Sequence, residues 1–495
     1  MTEPQLLKNK LPKWLKYIIL LFPFVIACFQ LRSLDNDFYF LYPTGEYILS
    51  HGFPHTDFLS MHSDMKIVLQ QWLSAVIFYL SYSKLGEIGL FSVLFMCYAC
   101  ICILTYRTML LIAKNELVAA FLAAVSDILL FNPFIVTRPQ IFTFTILLAE
   151  IYLLEKHAQT GKNRYLIGIP ILSLAQINLH ASMWPMMFAF MLPYILGSIP
   201  VKIKTFKLEA SGNIIYLMAT LAVSAAIGFI NPYGVENVIY LTSSYGQKIL
   251  VDTITEMRPT DISSYSGKRM IVLAILTGVI GFFIKKKAFS VRFFCLFMGT
   301  LLLSLINRKG ISYFYIFGLI AFSYLFSDIE VKIPKKIVGL ISKRTEALMA
   351  AILILLTTVI CAYNLYKSIE ARPGKAVHYN RLEEVVEILR KSEEPVVLYA
   401  NFNDGQYLEY KGFHPYIDGR AELYLLWNNE DYEYYGEYID VCSARMYYRD
   451  FTDRYQFNYL ILNDNLDSYL LESLRHDDDF ELVYENDGVF LFKRV

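Results

Sequence analysis

Leu34-Asp35-Asn36-Asp37-Phe38-Tyr39-Phe40 places two carboxylates just after an apolar run that extends from about Trp14 to Phe29. Charges so close to hydrocarbon are costly unless wet or paired, so an acidic pair there is a functional candidate by default. At this spacing Asp35 and Asp37 could hold a divalent cation, Mg or Mn, through oxygen ligands. Alternatively one could serve as general base while the other tunes its pKa. The plain alternative carries equal weight: Asp is a common helix N-cap, and the aromatics that follow could form an interfacial belt. From Tyr42 the sequence reads as a short amphipathic helix closed by Gly52 and Pro54; further on, Asp57 returns a carboxylate toward the same face as Asp37, while His55 and His62 beside it read as solvated loop histidines.

Later polar groups supply the opposite charge. Arg138, in Thr137-Arg138-Pro139-Gln140, sits where one helix ends and the next begins, with Asp127 in the preceding run as an ion-pair candidate. Asn178 and His180 occupy a short turn, Glu256 and Arg258 a larger loop, and Asn307-Arg308-Lys309 another short turn. Each alone is most often a snorkelling or paired residue at a membrane boundary. Together they supply carboxylates, cations and an imidazole, the ingredients for handling a lipid-linked phosphate.

Such groups must be positioned by a membrane scaffold, because 56% of the 495 residues are apolar and only 18% charged. Apolar runs near 14–31, 88–106, 117–131, 139–156, 165–178, 182–199, 213–230, 269–284, 291–306, 311–327 and 346–365 are each about long enough to cross. Trp72 to Tyr82 is shorter and reads as an interfacial helix lying flat. With that run not crossing, the inner segments hold 21 Lys/Arg against about 10 outside, as the positive-inside rule requires. The sequence therefore predicts a polytopic α-helical membrane protein of about eleven transmembrane helices. Its N-terminus is cytoplasmic, its first outer loop (32–87) is large, and the polar turns all face outward.

Residues 366–495 carry 14 Lys/Arg against 26 Asp/Glu, leaving 31 against 19 for the rest. This acidic tail reads as a separate small α/β extracytoplasmic domain, with a transmembrane domain over 1–365. Its pattern predicts a helix at 381–391, strands at 396–400 and 458–463, a polar turn at 401–405, a short strand ending at Asp418-Gly419, helix within 430–455, a helix at 466–475 and a terminal strand pair around Asn486-Asp487-Gly488. Asp418-Gly419-Arg420 is most simply a turn; sugar binding by Asp418, Arg420 and Glu422 is the weaker alternative. No concentrated basic face supports nucleic-acid binding. The seven cysteines form neither a disulfide framework nor a zinc pattern.

The combination of Asp35-Asn36-Asp37-Phe38-Tyr39, Thr44-Gly45-Glu46-Tyr47, Gly52-Phe53-Pro54-His55-Thr56-Asp57, Gln71-Trp72-Leu73, Arg138-Pro139-Gln140, Asn178-Leu179-His180, Asn231-Pro232-Tyr233-Gly234 and Tyr416-Ile417-Asp418-Gly419-Arg420 resembles bacterial polytopic GT-C-type glycosyltransferases. The resemblance departs at Leu41 and Ile67, where the pattern has His and Trp. It implies transfer of a sugar from a polyprenyl-phosphate-linked donor to a glycan, lipid or protein acceptor at the outer face of the cell membrane. It also implies Asp37 as catalytic base or metal ligand with Asp35 beside it. Asp57, Arg138, Asn178, His180, Glu256 and Arg308 are the expected substrate-binding residues. A transporter or flippase, or an assembly protein for lipid-linked glycans, shares these features; the lack of a convincing internal repeat and the outward clustering favour transfer.

Overall fold

The computed structural model describes residues 34–203, 206–208, 212–244, 247–284, 289–328, 377–425, 427–428, 433–464 and 466–495, with scattered positions near 16–23 and 348–359. Most of the expected first and last spans, and the stretches 285–287 and 371–374, lie outside the described residues.

Helices follow the apolar runs. They are α1 (Asn36–His51), α2 (Trp72–Ala113), α3 (Glu116–Phe134), α4 (Gln140–Thr160), α5 (Gly168–Leu179), α6 (Trp184–Gly197), and, after a short β1–β2 hairpin (Val201–Ile203, Phe206–Leu208), α7 (Ile214–Ile227). Then come α8 (Val235–Ser244), α9 (Lys248–Thr253), α10 (Tyr265–Phe283), α11 (Val291–Ile306) and α12 (Gly310–Phe326), which passes through a π turn at Phe314–Gly318. Caps set several starts: Asn115 accepts from Leu117 and Val118, Asn213 from Ile215, and Ser264 from Gly267. Trp72–Ala113 and Tyr265–Phe283 are long and apolar enough to cross a membrane, with peak mean hydropathies of 2.4 and 1.5. On α7 and α10 large apolar side chains face outward; Ile215 is 74% and Phe282 83% exposed. A surface this apolar fits lipid far better than water.

The run from Trp72 is a helix of its own. At Gly86 the backbone turns to φ 57°, ψ −145°, a conformation that only glycine adopts without strain, and α2 breaks there into two helices. α1 begins well before the Tyr42 start suggested by the sequence. Asp35 caps it, and Pro43 is carried inside the helix before Gly52 closes it.

The tail alternates helix and strand as its pattern predicts: α13 (Val377–Leu389), β3 (Leu398–Ala400), α14 (Phe402–Tyr410), α15 (Tyr434–Cys442), α16 (Tyr448–Tyr455), β4 (Tyr459–Asn463), α17 (Ser468–Arg475), β5 (Phe480–Asn486) and β6 (Val489–Arg494). The sheet order is β3-β4-β6-β5, with β3 and β4 parallel and the remaining pairs antiparallel. Two expectations fail locally. The polar segment Asn401–Gly405 opens α14, because the Asn401 side chain caps it by accepting from Asn403 and Asp404. The segment ending at Asp418 makes a single bridge, Leu398 with Pro415, rather than a strand.

The chain forms two compact units. One gathers Met1–Arg32, Phe91–Gly234 and Val251–Ala371; the other gathers Ser33–Leu90, Val235–Leu250 and Arg372–Val495. Residues 33–90 thus fold in one unit with the tail.

Candidate functional site

In the unit that contains the tail, the helix bearing the acidic pair is set by its own cap and by aromatic packing. An Asp35 side-chain oxygen accepts from the backbone N–H of Asp37 at 3.3 Å, so Asp35 acts as the N-cap. Asp37 is half-buried in the first turn, where a negative charge favours the helix dipole. Below it, Tyr39 meets Tyr407 edge-on at 5.0 Å, Phe38 meets Tyr82 at 5.1 Å and Tyr42 meets Tyr410 at 5.3 Å. Helix α14 from the tail therefore packs against the helix that carries Asp37. Lys411 lies over the Tyr407 ring and pairs with Glu383 at 2.7 Å, fastening α14 to α13. Among the described residues no group of three His, Cys, Asp or Glu side chains could hold a metal ion, and Asp35 is engaged in capping.

Asp57, expected to bind substrate, is spent elsewhere. It is 2% exposed and accepts from the Ser60 N–H and hydroxyl at 2.9 and 2.6 Å, and from Arg420 at 2.6 Å. The Arg420 guanidinium also donates to Asp418 at 2.6 Å and to Glu409 at 3.2 Å, while Tyr424 donates its hydroxyl to Asp418. One cation thus faces three buried carboxylates. Burial, with Asp418 beside it, holds Glu409 well above the usual carboxylate range, so it keeps its proton; burial opposes ionisation of Asp418 too, but Arg420 outweighs it and holds Asp418 low. The Asp418-Gly419-Arg420 turn, closed by Arg420 N–H donating to Asp418 at 2.7 Å, is thereby a clasp between the 33–90 segment and the tail.

His62 is buried, not solvated. It stacks on Tyr434 at 3.8 Å, its Nε2 lies 3.0 Å from the Tyr416 carbonyl, and burial pushes its pKa down to about 4. A cleft of about 40 Å³, lined by Thr44, Gln70, Gln71, Trp72, Tyr240 and Glu422 among others, has room for little more than a few waters.

The other unit brings together most of the expected polar turns. Arg138, just before α4, forms its ion pair with Glu256 at 2.7 Å. Lys309, just before α12, meets the other Glu256 oxygen at 3.2 Å. Asp127, the partner anticipated for Arg138, is buried within α3. The backbone fixes this group: Lys309 N–H donates to the Glu256 carbonyl at 3.3 Å, Arg308 N–H to that of Arg258 at 3.0 Å, and Thr260 N–H to that of Leu305 at 3.1 Å. Burial alone would raise the Glu256 pKa; Lys309 and Arg138 more than offset it and lower it to about 2. Two cations share one carboxylate, and the side chains of Arg138, Lys309 and Glu256 are 23%, 33% and 42% exposed. Partly exposed cations of this kind can be offered to an anion.

His180 ends α5 beside this group. Its Nδ1 lies 2.8 Å from Thr143 Oγ1, and Gln176 donates to Thr143 Oγ1 at 3.0 Å and to the His180 carbonyl at 2.8 Å. Burial and then the Lys309 charge push the imidazole pKa down to about 3, so His180 is neutral across the physiological range. Asn178 has a fastening role, donating to the carbonyls of Leu174 and Ile230 at 2.9 and 3.0 Å. Arg308 is exposed. The sequence reading did not single out Lys309, Thr143 or Gln176. Lys309 stood beside Arg308, and Thr143 lies about one helical turn after Arg138, on a run that reads simply as apolar.

No family model matches the sequence, and no curated protein is detectably similar to it. Solved structures are similar over nearly the whole chain. The oligosaccharyltransferase of Archaeoglobus fulgidus in its apo form aligns with 90% of this chain and 69% of its own at 10% identity, TM-score 0.54. The same organism's AglB, solved with an inhibitory peptide and a dolichol-phosphate, aligns with 98% of this chain and 74% of its own at 9% identity, TM-score 0.56. ArnT from Cupriavidus metallidurans, bound to undecaprenyl phosphate, aligns with 97% of both chains at 11% identity, TM-score 0.52. The fold of this chain is GT-C-like, as the motif resemblance implied.

Proposed function

We propose that this chain is a membrane glycosyltransferase that moves a sugar from a polyprenyl-phosphate-linked donor to a glycan, lipid or protein acceptor at the outer face of the membrane. The observation that carries this reading is the half-exposed Arg138–Glu256–Lys309 group, in which two cations meet one carboxylate, on a fold also found in proteins solved with dolichol-phosphate and undecaprenyl phosphate. In the proposed arrangement the chain has eleven spans, a cytoplasmic N-terminus and an external tail; the outward-facing side chains of α7 and α10 support the membrane setting.

The reaction is a single inverting displacement. Asp37 takes the proton of the acceptor hydroxyl as its oxygen bonds to the anomeric carbon; the bond from that carbon to the phosphate oxygen breaks, and polyprenyl phosphate leaves with the electron pair. Arg138 and Lys309, with exposed Arg308, neutralise the charge that develops on the leaving phosphate. Glu256 holds the two cations in register before the donor arrives. A lipid phosphate leaves readily, so positioning and charge stabilisation suffice without a covalent enzyme intermediate.

The test is sugar release from polyprenyl-phosphate sugars by the purified protein in lipid nanodiscs. Turnover should be lost in Asp37→Asn and weakened in Arg308→Ala. Unaltered turnover in Asp37→Asn would remove the proposed base, and no turnover with any donor would favour a binding or assembly role. Labelling of single cysteines at Arg164 and Asp453 should find the first inside and the second outside the cell.

A further inference from the structure

We infer that His180 is locked as the Nε2–H tautomer by Thr143 and Gln176, and that it donates this hydrogen to a phosphoryl oxygen of the ligand held at Arg138 and Lys309. The second half rests on the glycosyltransferase reading; the first follows from hydrogen-bond polarity alone.

The argument starts at the His180 carbonyl. A carbonyl oxygen only accepts, so the Gln176 side-chain atom 2.8 Å from it must be the amide nitrogen. That orientation leaves no choice at the next contact: the same nitrogen lies 3.0 Å from Thr143 Oγ1 and donates its second hydrogen there. Turning the amide over would set its oxygen against the carbonyl oxygen of His180. The hydroxyl of Thr143 now has one hydrogen to give. Among the described residues its remaining partner is His180 Nδ1 at 2.8 Å, and the hydrogen goes there. Nδ1 is therefore the acceptor, and the ring hydrogen of the neutral imidazole sits on Nε2.

Two features make this arrangement more than local packing. The Gln176 side chain is fully buried, and its carbonyl oxygen has no hydrogen-bond partner among the described residues. Leaving a buried acceptor unmet costs about 1–3 kcal/mol, so the amide's orientation is set by what it donates. Second, no bond from Nε2 is formed within the described residues, while Nδ1 and the carbonyl of the same residue are both tied down. Arg138 lies five residues before Thr143 at the start of α4, and Lys309 is close enough for its charge to act on the imidazole. A neutral donor beside two cations adds a directed hydrogen bond to an oxygen without adding charge that the leaving phosphate must later escape. His180 is then a binding residue, and Thr143 and Gln176 are positioning residues.

Nitrogen-15 spectra of imidazole-labelled full-length protein in nanodiscs test this without reference to turnover, with His180→Gln identifying the signal. The Nε2–H pattern is expected from pH 5 to 8, unchanged in Thr143→Ser and replaced by a tautomer mixture in Thr143→Val. An Nδ1–H pattern, or an imidazolium at pH 6, in the unsubstituted protein would overturn the proposal. Undecaprenyl phosphate should shift the Nε2–H proton signal, and inorganic phosphate at equal concentration should not. A signal indifferent to both would overturn the phosphoryl assignment, and one that moved equally with both would mark a general anion site rather than a lipid-phosphate site. Sugar release by the same preparation reports separately on the glycosyltransferase reading.

Discussion

The Arg420 group and the Arg138 group are built from the same side chains in opposite proportions. Around Arg420, one guanidinium faces Asp57, Asp418 and Glu409, all with side chains 0% exposed. Around Glu256, two cations face one carboxylate that is 42% exposed. The first arrangement uses up its cation, and a neutral Glu409 keeps the excess negative charge down. The second leaves positive charge open to solvent. A buried cation wholly engaged by carboxylates fixes the geometry of a fold, whereas half-exposed cations can be offered to a ligand.

The largest expected effect tests the buried side of that contrast. Arg420→Met should strip three buried carboxylates of their cation and destabilise the unit by about 3–5 kcal/mol, seen as a lowered unfolding midpoint and early proteolysis of the tail. A loss below about 1 kcal/mol would mean that the group behaves like a surface ion pair. Lys309→Met tests the open side. It should leave the unfolding midpoint nearly unchanged but weaken phosphate-dependent turnover by roughly 10- to 100-fold, the worth of about 1.5–3 kcal/mol for a hydrogen bond to a charged group. If it unfolded the protein instead, the contrast would collapse.

The buried imidazole of His62 sharpens the comparison through pH. Its folded pKa of about 4 lies below the usual 6.5, so the unfolded chain binds the extra proton first and stability falls as pH drops from 6.5 toward 4. The His62 contribution has a slope of up to about 1.4 kcal/mol per pH unit. Glu409 runs the other way, because its folded pKa is raised and its protonated form is favoured as pH falls. Denaturant titrations should therefore show a shallower acid loss in His62→Phe than in the unsubstituted protein, and a steeper one in Glu409→Gln. The smallest effect belongs to Asp35. Asp35→Ala should cost about 1 kcal/mol as a lost cap and Asp35→Asn almost nothing. Loss of turnover in a stable Asp35→Asn would give this carboxylate a role beyond capping.

Much of the described scaffold was legible because apolar periodicity and caps are local signals. The helical runs from Glu116 to Ile306 and the terminal strand pair fell close to where their patterns put them. The pairing of Arg138 with Glu256 was not, since they lie 118 residues apart and meet only through their side chains, while backbone contacts tie 256–260 to 304–309. Asp57 and His62 were misjudged for the same reason. In a loop their types suggest solvent, and nothing local announces that Arg420 and Tyr434, more than 350 residues later, bury them. The first-loop helix, expected from Tyr42, in fact starts at Asn36, because the cap at Asp35 opens it and the helix runs straight through Pro43.

Gly45 faces Ala75 so closely that a methyl group on it would stand 2.3 Å from the Ala75 carbonyl oxygen, and 2.7 Å from Cβ of Tyr79. The two helices of the first loop therefore touch main chain to main chain, with no side chain between them to act as a cushion. A shove on one is passed to the other undamped. Even the smallest addition, Gly45→Ala, would wedge this seam apart and tilt the carboxylate two turns upstream without altering any group that touches it.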